Sequence, residues 1–318
     1  MPDMNAVTFT AGGPENLVPT SIPRPEPGPT EVLVRVTAVG VNSIDWKTRV
    51  GDGMYRFFDS DEPMVLGWDI AGVVEEAGTG VTRFEKGDRV FGMPRFPHPG
   101  SAYAQYVVAP SRQLARIPDK VSDVAAAAVP LPGLTAYQAV VDTIKLGQGE
   151  RILIRGAAGA VGQFAVQIAR ARRATVWAVD VPDRLDMLTS LGVNHVIDSA
   201  SEGAVESISH MDAVLDLVGG EESSAKLLST LRPGGRMVVL SSRDDVPSQR
   251  QLEAAGVTAS WMLVEPDHAG LEALAAMLSY GLLRVHVAET RSLDDIASLH
   301  VLGESGTVVG RLVATVGT

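Results

Sequence analysis

The sequence of 318 residues contains no cysteine. Without thiols, the chain cannot form disulfides, bind zinc through thiolates or use a cysteine nucleophile. Basic residues are also few, with 27 lysines and arginines against 38 aspartates and glutamates and a formal net charge of −11. This charge opposes long-range attraction to nucleic acids and anionic membranes. We therefore expect neither as a partner.

Long apolar runs are missing as well. No segment approaches the roughly 20 apolar residues that cross a bilayer, and Met1–Asn5 lacks the basic and apolar blocks of a signal peptide. We therefore predict a soluble, cytoplasmic protein. Its 45% hydrophobic and 20% charged residues are typical of globular chains and exclude disorder over most of the length.

The pattern of residues predicts an α/β fold with two domains. Strand-like segments at 5–9, 31–39 and 70–76 indicate a mainly β beginning, in which Pro19–Pro29 is predicted as a surface connection. From Arg151 onward, strands alternate with helices, which predicts a doubly wound parallel sheet. In the tail, residues 285–316, the residue pattern is again typical of strands and turns. We therefore predict one domain of residues 1–122 and 285–318 and a second of residues 123–284.

A glycine-containing turn is the most informative segment. The strand Ile152–Ile154 runs into Gly156, Gly159 and Gly162, and a helix opens at once. Small residues let the backbone approach a pyrophosphate, and the helix N-terminus offers free N–H donors. The usual fingerprint has glycine at position 157, where this chain has alanine. We predict a dinucleotide site, with a tight turn that binds no ligand as the alternative. Its residues are Gly156, Ala157, Ala158, Gly159, Ala160 and Val161.

Asp180 ends the next strand, about 20 residues after the turn, where an acid that binds ribose is expected. Such a carboxylate accepts hydrogen bonds from both ribose hydroxyls and repels a 2′-phosphate, which favours NAD(H). Arg184 could instead pair with that phosphate. The alternative for Asp180 is capping the helix that begins near Pro182.

Several motifs together resemble the medium-chain dehydrogenase/reductase superfamily, and more narrowly its zinc-free quinone oxidoreductase branch. The resemblance spans residues 5–313. It implies a GroES-like mainly-β catalytic domain, a Rossmann nucleotide-binding domain, NADP(H) as the usual cofactor and a homodimer. The motifs are Gly40-Val-Asn-Ser-Ile-Asp-Trp-Lys47, Gly67-Trp-Asp-Ile-Ala-Gly-Val-Val74, Lys86-Gly-Asp-Arg-Val-Phe91, Gly133-Leu-Thr-Ala-Tyr137 and Gly156-Ala-Ala-Gly-Ala-Val-Gly162.

The chain departs from the zinc-dependent relatives at the metal ligands. The matching positions hold Asn42, Trp68 and Leu131. Neither Trp nor Leu binds zinc, and an Asn alone is a poor ligand. We therefore predict no metal. Without a Lewis acid, the easier reaction is hydride delivery to an acceptor that spreads the arriving charge by conjugation, such as a quinone or an enone.

The resemblance also implies roles for individual residues near the nicotinamide. Asn42 would donate an amide N–H to the developing enolate or quinol oxygen, or else form a turn after its strand. Tyr55 would donate a proton or stack on the ring. The hydroxyl of Thr135 would bond the carboxamide, or else bond its own helix backbone.

Further cofactor contacts are predicted after the later strands. At Val218 and Gly219, the chain would run beside the adenine and its ribose. Ser241 and Ser242 would contact the nicotinamide ribose or form a turn. Arg311 matches a basic residue that lies near the cofactor in the family, with a surface position as the alternative.

The predicted substrate pocket contains Asp45, Lys47, Trp68 and Arg95. Asp45 would hold its loop or Lys47 in place rather than transfer protons. Lys47 would reach the cofactor or an acidic group of the substrate, or else stay solvated at the surface. Trp68 would form a wall of the substrate pocket at the position where the relatives have a metal ligand. Arg95 would begin another segment of the wall of this pocket.

The sequence favours an NAD(P)H-dependent, zinc-independent oxidoreductase that acts on a quinone, an enone or another conjugated carbonyl. The competing enzyme function is an enoyl reductase that acts on a thioester or another biosynthetic intermediate. A non-catalytic nucleotide-binding or sensing protein is the alternative from another class.

Overall fold

The structure, a computed structural model, describes residues 2–59 and 64–317. It divides into two compact units. Unit 1 comprises Met1–Leu134 and Glu265–Thr318, and unit 2 comprises Thr135–Val264. No helix among the described residues has the length and apolar character needed to cross a membrane.

Strands and helices are numbered in chain order. The strands are β1 (Asp3–Phe9), β2 (Leu17–Pro23), β3 (Glu31–Val41), β4 (Asp69–Ala77), β5 (Arg89–Gly92), β6 (Tyr106–Pro110), β7 (Leu114–Arg116), β8 (Arg151–Arg155), β9 (Thr175–Asp180), β10 (His195–Asp198), β11 (Met211–Asp216), β12 (Leu231–Val239), β13 (Thr258–Trp261), β14 (Val287–Ser292) and β15 (Arg311–Thr315). The helices are α1 (Ser43–Arg49), α2 (Asp123–Ala127), α3 (Pro130–Tyr137), α4 (Gly162–Ala171), α5 (Leu185–Ser190), α6 (Glu221–Lys226), α7 (Gln249–Ala255), α8 (His268–Ser279) and α9 (Ile296–Glu304).

Unit 1 is built on a sheet with the strand order β14-β15-β3-β4-β5-β7, and β6 also pairs with β3. Along β3, Val32, Val34 and Val36 alternate into the core, and Val39 and Val41 continue on it after a register shift. A bulge there is the expected cause, because one extra residue moves every later side chain to the other face. The central strand of the sheet is therefore buried along most of its length.

The pairing of β3 with its neighbours determines which strand ends lie side by side. β4 and β15 both run antiparallel to β3, with Gly40 opposite Asp69 and Val41 opposite Leu312. The carboxyl end of β3 therefore lies beside the amino ends of its two neighbours. Asn42, Asp69 and Arg311, which are far apart in the sequence, come together at this edge.

Unit 2 contains a six-stranded parallel sheet with the order β10-β9-β8-β11-β12-β13. This is the order of the doubly wound dinucleotide-binding fold, in which the strand order reverses between β8 and β11. Its strands bury Leu153, Val179, Val214 and Met237 in one core. The predicted α/β fold class, with a mainly β part and a Rossmann part, is confirmed.

One local prediction is corrected. Residues Pro19–Pro23, predicted as part of a surface connection, belong to β2, which pairs with β1 in a two-stranded sheet. Proline is tolerated there because an edge strand has N–H groups that need no partner.

The unit limits differ from the domain limits expected from the sequence. Helix α2 packs on β3 and β4, and α8 packs on β7, so both helices lie in unit 1. The domain limits of 1–122 with 285–318, and of 123–284, stay a prediction.

Candidate active site

The turn after β8 has a backbone that requires glycine at two positions. Gly156 has φ +78°, a conformation that L side chains rarely adopt. A Cβ on Gly162 would lie 2.3 Å from the carbonyl oxygen of Gly156. Ala157, in place of the fingerprint glycine, is buried, as is Ala158. The turn therefore folds tightly although one of its usual glycines is an alanine.

The same turn leaves donors for an anion. Among the described residues, the backbone N–H groups of Ala160 and Val161 have no protein acceptor. They stand at the N-terminus of α4, a helix of ten residues that begins at Gly162. The partial positive charge of this helix end favours phosphate. The residues of the turn therefore fit the pyrophosphate of a dinucleotide.

Asp180 ties the turn to β9. Its Oδ2 accepts from the N–H of Ala158 at 2.8 Å, and its Oδ1 accepts from the N–H of Val181 at 2.9 Å. It does not cap the short helix Pro182–Arg184, whose N-terminus receives no side-chain hydrogen bond. The structure thus assigns the carboxylate a bracing role that the sequence did not suggest. Its contact with ribose, and the pairing of half-buried Arg184 with a phosphate, stay predictions.

The loops after β11 and β12 carry the remaining predicted residues of unit 2. Val218 is exposed, and Gly219 has φ +81°. Ser241 donates to Asp245 at 2.6 Å, and Ser242 accepts from a backbone N–H in a turn of 3₁₀ helix. Parallel strands place these loops and the glycine turn at one edge of the sheet. Thr135, also in unit 2, is buried on α3.

Unit 1 contains a buried polar cluster at the carboxyl end of β3. The Nδ2 of Asn42 donates to Oδ2 of Asp69 at 2.8 Å, and Nη2 of Arg311 donates to Oδ1 of Asn42 at 2.6 Å. The second carboxylate oxygen of Asp69 accepts from the N–H of Leu131 at 2.7 Å. All three side chains are at most 3% exposed. The contacts of Arg311 thus lie inside unit 1, and its predicted cofactor contact is untested.

Asp45 joins a second buried chain of hydrogen bonds. Its Oδ2 accepts from the backbone N–H of Asn42 at 2.7 Å and from the hydroxyl of Tyr103 at 3.0 Å. The hydroxyl of Tyr103 also lies 3.0 Å from Nε2 of His300, and Nδ1 of His300 lies 3.1 Å from Nη1 of Arg49. These contacts link α1 to Tyr103 and His300, and the predicted role of Asp45 stays a prediction.

The direction of this chain follows from Arg49. A guanidinium only donates, so Nδ1 of His300 accepts, and the proton of the neutral ring is on Nε2. That proton is donated to the oxygen of Tyr103, whose own hydrogen goes to Asp45. The chain of hydrogen bonds therefore begins at the guanidinium of Arg49, which does not release a proton, and ends at the carboxyl group of Asp45.

Burial shifts the pKa values of these groups. It raises the pKa of Asp45 and of Asp69 from 3.8 to about 7. Burial lowers the pKa of His300 from 6.5 to about 3, with the charge of Arg49 acting in the same direction. It raises the pKa of Tyr103 well above its ordinary value. Each shift favours the uncharged form, as expected for groups removed from water.

The other predicted residues of unit 1 lie outside this cluster. Trp68 is fully buried, donates from its indole N–H to the carbonyl of His98 at 2.7 Å and packs against Phe58 and Phe96. Tyr55 is half-buried and contacts the core, whereas Lys47 is exposed on α1. Their predicted roles stay predictions.

Arg95 has φ +63° and forms an ion pair with Glu31. It also lines a pocket of about 460 Å³ within unit 1, together with His98 and Tyr106. The other predicted pocket residues, Asp45, Lys47 and Trp68, do not line this cavity. The predicted role of Arg95 in the substrate pocket stays a prediction.

Sequence patterns missed four residues of the buried clusters: Asp69, Tyr103, His300 and Arg49. Asp69 stands in a motif, Gly67-Trp-Asp, that could have drawn attention to it. Tyr103 and His300 have no local signal, because their partners lie 58 and 251 residues away along the chain. Within residues 2–59 and 64–317, no group of three acidic or histidine side chains is arranged to hold a metal ion. The predicted lack of a metal stays a prediction.

Comparisons with known proteins bear on this arrangement. Residues 28–119 match the alcohol dehydrogenase GroES-like domain, and residues 191–313 match the zinc-binding dehydrogenase family. The chain is 31% identical to a 2-haloacrylate reductase of a Burkholderia species across 98% of both chains. It is also 36% identical, over 77% of its length, to a mycocerosic acid synthase-like polyketide synthase of Mycobacterium tuberculosis, but it spans only 12% of that protein.

A quinone oxidoreductase from Coxiella burnetii has a similar structure. The TM-score is 0.90 at 31% identity, covering 99% of this chain and 100% of the other. A GroES-like unit and a parallel sheet with a dinucleotide turn define an oxidoreductase that uses NAD(P)H. The chain belongs to the medium-chain dehydrogenase/reductase superfamily, in its quinone oxidoreductase branch. The family and enzyme class predicted from the motifs are confirmed.

The raised pKa of Asp45 leads to a test by stability. The folded-state pKa of Asp45 is near 7, above the ordinary 3.8. The protonated carboxyl therefore makes its full contribution to the free energy of unfolding below pH 3.8, and this contribution is lost as the pH rises through 7. Asp45→Asn keeps an acceptor for Asn42 and Tyr103 but cannot ionise. In urea denaturation, we expect the free energy of unfolding of wild type, relative to this variant, to fall between pH 4 and 7 by at most about 1.4 kcal/mol per pH unit. A difference that does not change with pH would contradict the shift.

Proposed function

We propose that this protein reduces a conjugated, electron-poor acceptor, either a quinone or an α,β-unsaturated carbonyl compound. The observation that carries the proposal is the buried carboxamide of Asn42, which keeps one N–H without a partner among the described residues. Such a donor can stabilise an oxygen on which negative charge develops. The glycine turn of unit 2 supports the use of a dinucleotide.

The cofactor would be held by the turn at residues 156–161. The N–H groups of Ala160 and Val161 would bind its pyrophosphate. Loops after β11 and β12, with Val218, Gly219, Ser241 and Ser242, extend the same edge. A reduced nicotinamide, when bound, supplies the hydride of the reaction.

The chain's own part in the chemistry is to stabilise charge and to place the acceptor. When the acceptor accepts a hydride at carbon, its oxygen becomes an enolate or a quinol anion. The N–H of Asn42 would donate to that oxygen. Protonation completes the reduction, with water or Tyr55 as the source.

The names of the relatives support this substrate class. An acrylate has a carbon–carbon double bond conjugated to a carboxyl group, and a quinone is a conjugated diketone. The similarity to a polyketide synthase favours a second candidate, an enoyl reductase that acts on an acyl thioester. An enone and an enoyl thioester are both reduced at a carbon–carbon double bond next to a carbonyl, so these two acceptors differ mainly in the group attached to that carbonyl.

An acceptor screen tests the proposal. We expect purified protein to oxidise NADPH or NADH, followed by the loss of nicotinamide absorbance, in the presence of simple quinones or enones. Turnover confined to enoyl thioesters would select the second candidate. Nucleotide binding with no turnover of any of these acceptors would indicate a non-catalytic nucleotide-binding protein and would refute the proposal.

Two variants of the turn provide the control for this screen. Gly159→Asp places a negative charge where phosphate would bind, and we expect it to abolish cofactor binding and turnover. Gly159→Ala adds only a Cβ, which would lie 3.2 Å from the carbonyl oxygen of Gly156, so a small shift accommodates it. Equal cofactor affinity in wild type and Gly159→Asp would contradict the site.

We propose NADPH as the preferred cofactor. Both oxygens of Asp180 already accept backbone N–H groups, which reduces their availability to the ribose hydroxyls. Fluorescence titration of each reduced cofactor tests this preference, with tighter binding of NADPH expected. Tighter binding of NADH would assign Asp180 to the ribose and contradict the proposal.

We also propose that the protein is a cytoplasmic homodimer. The outer strand β13 supports the dimer, because Trp261 is 36% exposed and Leu263 is 39% exposed beside an unpaired strand edge. Light scattering should give twice the 33.5 kDa chain mass, and Trp261→Glu should halve it. Val18→Glu, which changes an exposed valine of unit 1, is the control. A wild type of single-chain mass would refute the dimer.

A further inference from the structure

We propose that Arg311 and Asp69 are positioning residues, which together hold the carboxamide of Asn42 so that its nitrogen, and not its oxygen, is available to the acceptor. The inference rests on the proposed function, because it concerns the residue that would stabilise the developing anion. It assigns to Arg311 a task different from cofactor binding.

The two contacts of the carboxamide determine its orientation. Arginine only donates hydrogen bonds, so the atom of Asn42 that lies 2.6 Å from Nη2 of Arg311 must be the oxygen. Since the oxygen faces Arg311, the atom 2.8 Å from Oδ2 of Asp69 is the nitrogen, which donates to it. A flipped carboxamide would put its N–H groups against those of Arg311, donor against donor.

Backbone groups hold the two partners in turn. Nε of Arg311 donates to the carbonyl of Ala128 at 2.9 Å, and Oδ1 of Asp69 accepts from the N–H of Leu131 at 2.7 Å. The guanidinium and the carboxylate lie 3.8 Å apart and are almost fully buried. Because each partner has one contact with backbone and one with Asn42, neither can turn away without losing a hydrogen bond.

One hydrogen of the Asn42 carboxamide is left over. Nδ2 carries two hydrogens, and the described residues accept only one of them. The oxygen is already bonded to a cation. An acceptor oxygen near this side chain therefore meets a donor, as stabilisation of an enolate requires.

A double-mutant cycle tests whether Arg311 acts through Asn42. We expect Asn42→Ala to lower kcat by about 100-fold, the scale seen on loss of one oxyanion donor. Arg311→Lys keeps the charge but cannot reproduce both arms of the fork. We expect it to lower kcat by about 10-fold alone and by less than about 2-fold in the Asn42→Ala background, because the group that it orients is gone.

Asp69→Asn provides an independent variant. The amide that it introduces has one oxygen for two donors, the N–H of Leu131 and Nδ2 of Asn42, so the new amide nitrogen must face one of them. We expect the same pattern, a loss of kcat that disappears in the Asn42→Ala background. Neither variant should change the KM for the reduced cofactor.

A matched control uses Arg89, which also contacts a carboxylate, that of Asp123, and a carbonyl oxygen, that of Val121. It has no contact with Asn42, and Arg89→Lys should leave kcat unchanged. Equal losses of kcat from Arg311→Lys in both backgrounds would overturn the inference. So would a raised cofactor KM with unchanged kcat, which would return Arg311 to the cofactor.

A spectroscopic measurement keeps this inference separable from the proposed function. The side-chain amide ¹⁵N–¹H signals of Asn42, assigned by their loss in Asn42→Ala, report its orientation without any turnover. We expect a resolved pair in wild type that broadens or shifts in Arg311→Lys and not in Arg89→Lys. Unchanged signals in Arg311→Lys overturn the positioning role, whereas the absence of turnover by wild type counts only against the proposed reaction.

Discussion

The hydrogen bonds of the buried carboxyl group of Asp69 organise unit 1. Burying a polar group costs free energy unless it is hydrogen-bonded. Asp69 meets that requirement with Asn42 and the backbone N–H of Leu131, and Arg311 lies nearby. These partners come from the ends of β3 and β15 and from the start of α3. One carboxylate therefore fixes the relative positions of three segments and, through them, a side chain suited to stabilise an anion.

In unit 2, a carboxylate likewise holds a backbone segment in place, at the turn after β8. The chain must reverse tightly so that a helix N-terminus is open to phosphate, and Gly156 and Gly162 make the reversal sterically feasible. Asp180 then holds the turn against the next strand through the N–H of Ala158. In both units, a buried carboxyl group accepts hydrogen bonds from the protein's own backbone.

Much of the fold could be predicted because its signals are local. The glycine turn, the alternation of strands with helices and the acid at the end of β9 all lie within a few tens of residues. The predicted roles of Asn42 and Asp45 came from a motif, and in the structure Asp45 accepts hydrogen bonds from the backbone of Asn42 and from Tyr103. By contrast, β2 was missed because its prolines suggest a connection. They are tolerated because, within the described part of the chain, β2 pairs with β1 alone.

The sequence by itself determined the class of fold, the position of the dinucleotide turn and the impossibility of thiolate chemistry, since each depends on residue types or on short spacings. Only the tertiary structure decided which polar groups meet in the interior. Asn42 contacts Arg311, and Tyr103 contacts His300, across 269 and 197 residues of chain. Such contacts arise from strand register and helix packing, which no short pattern encodes. The orientation of the carboxamide of Asn42 therefore became visible only when the ends of β3, β4 and β15 were brought together.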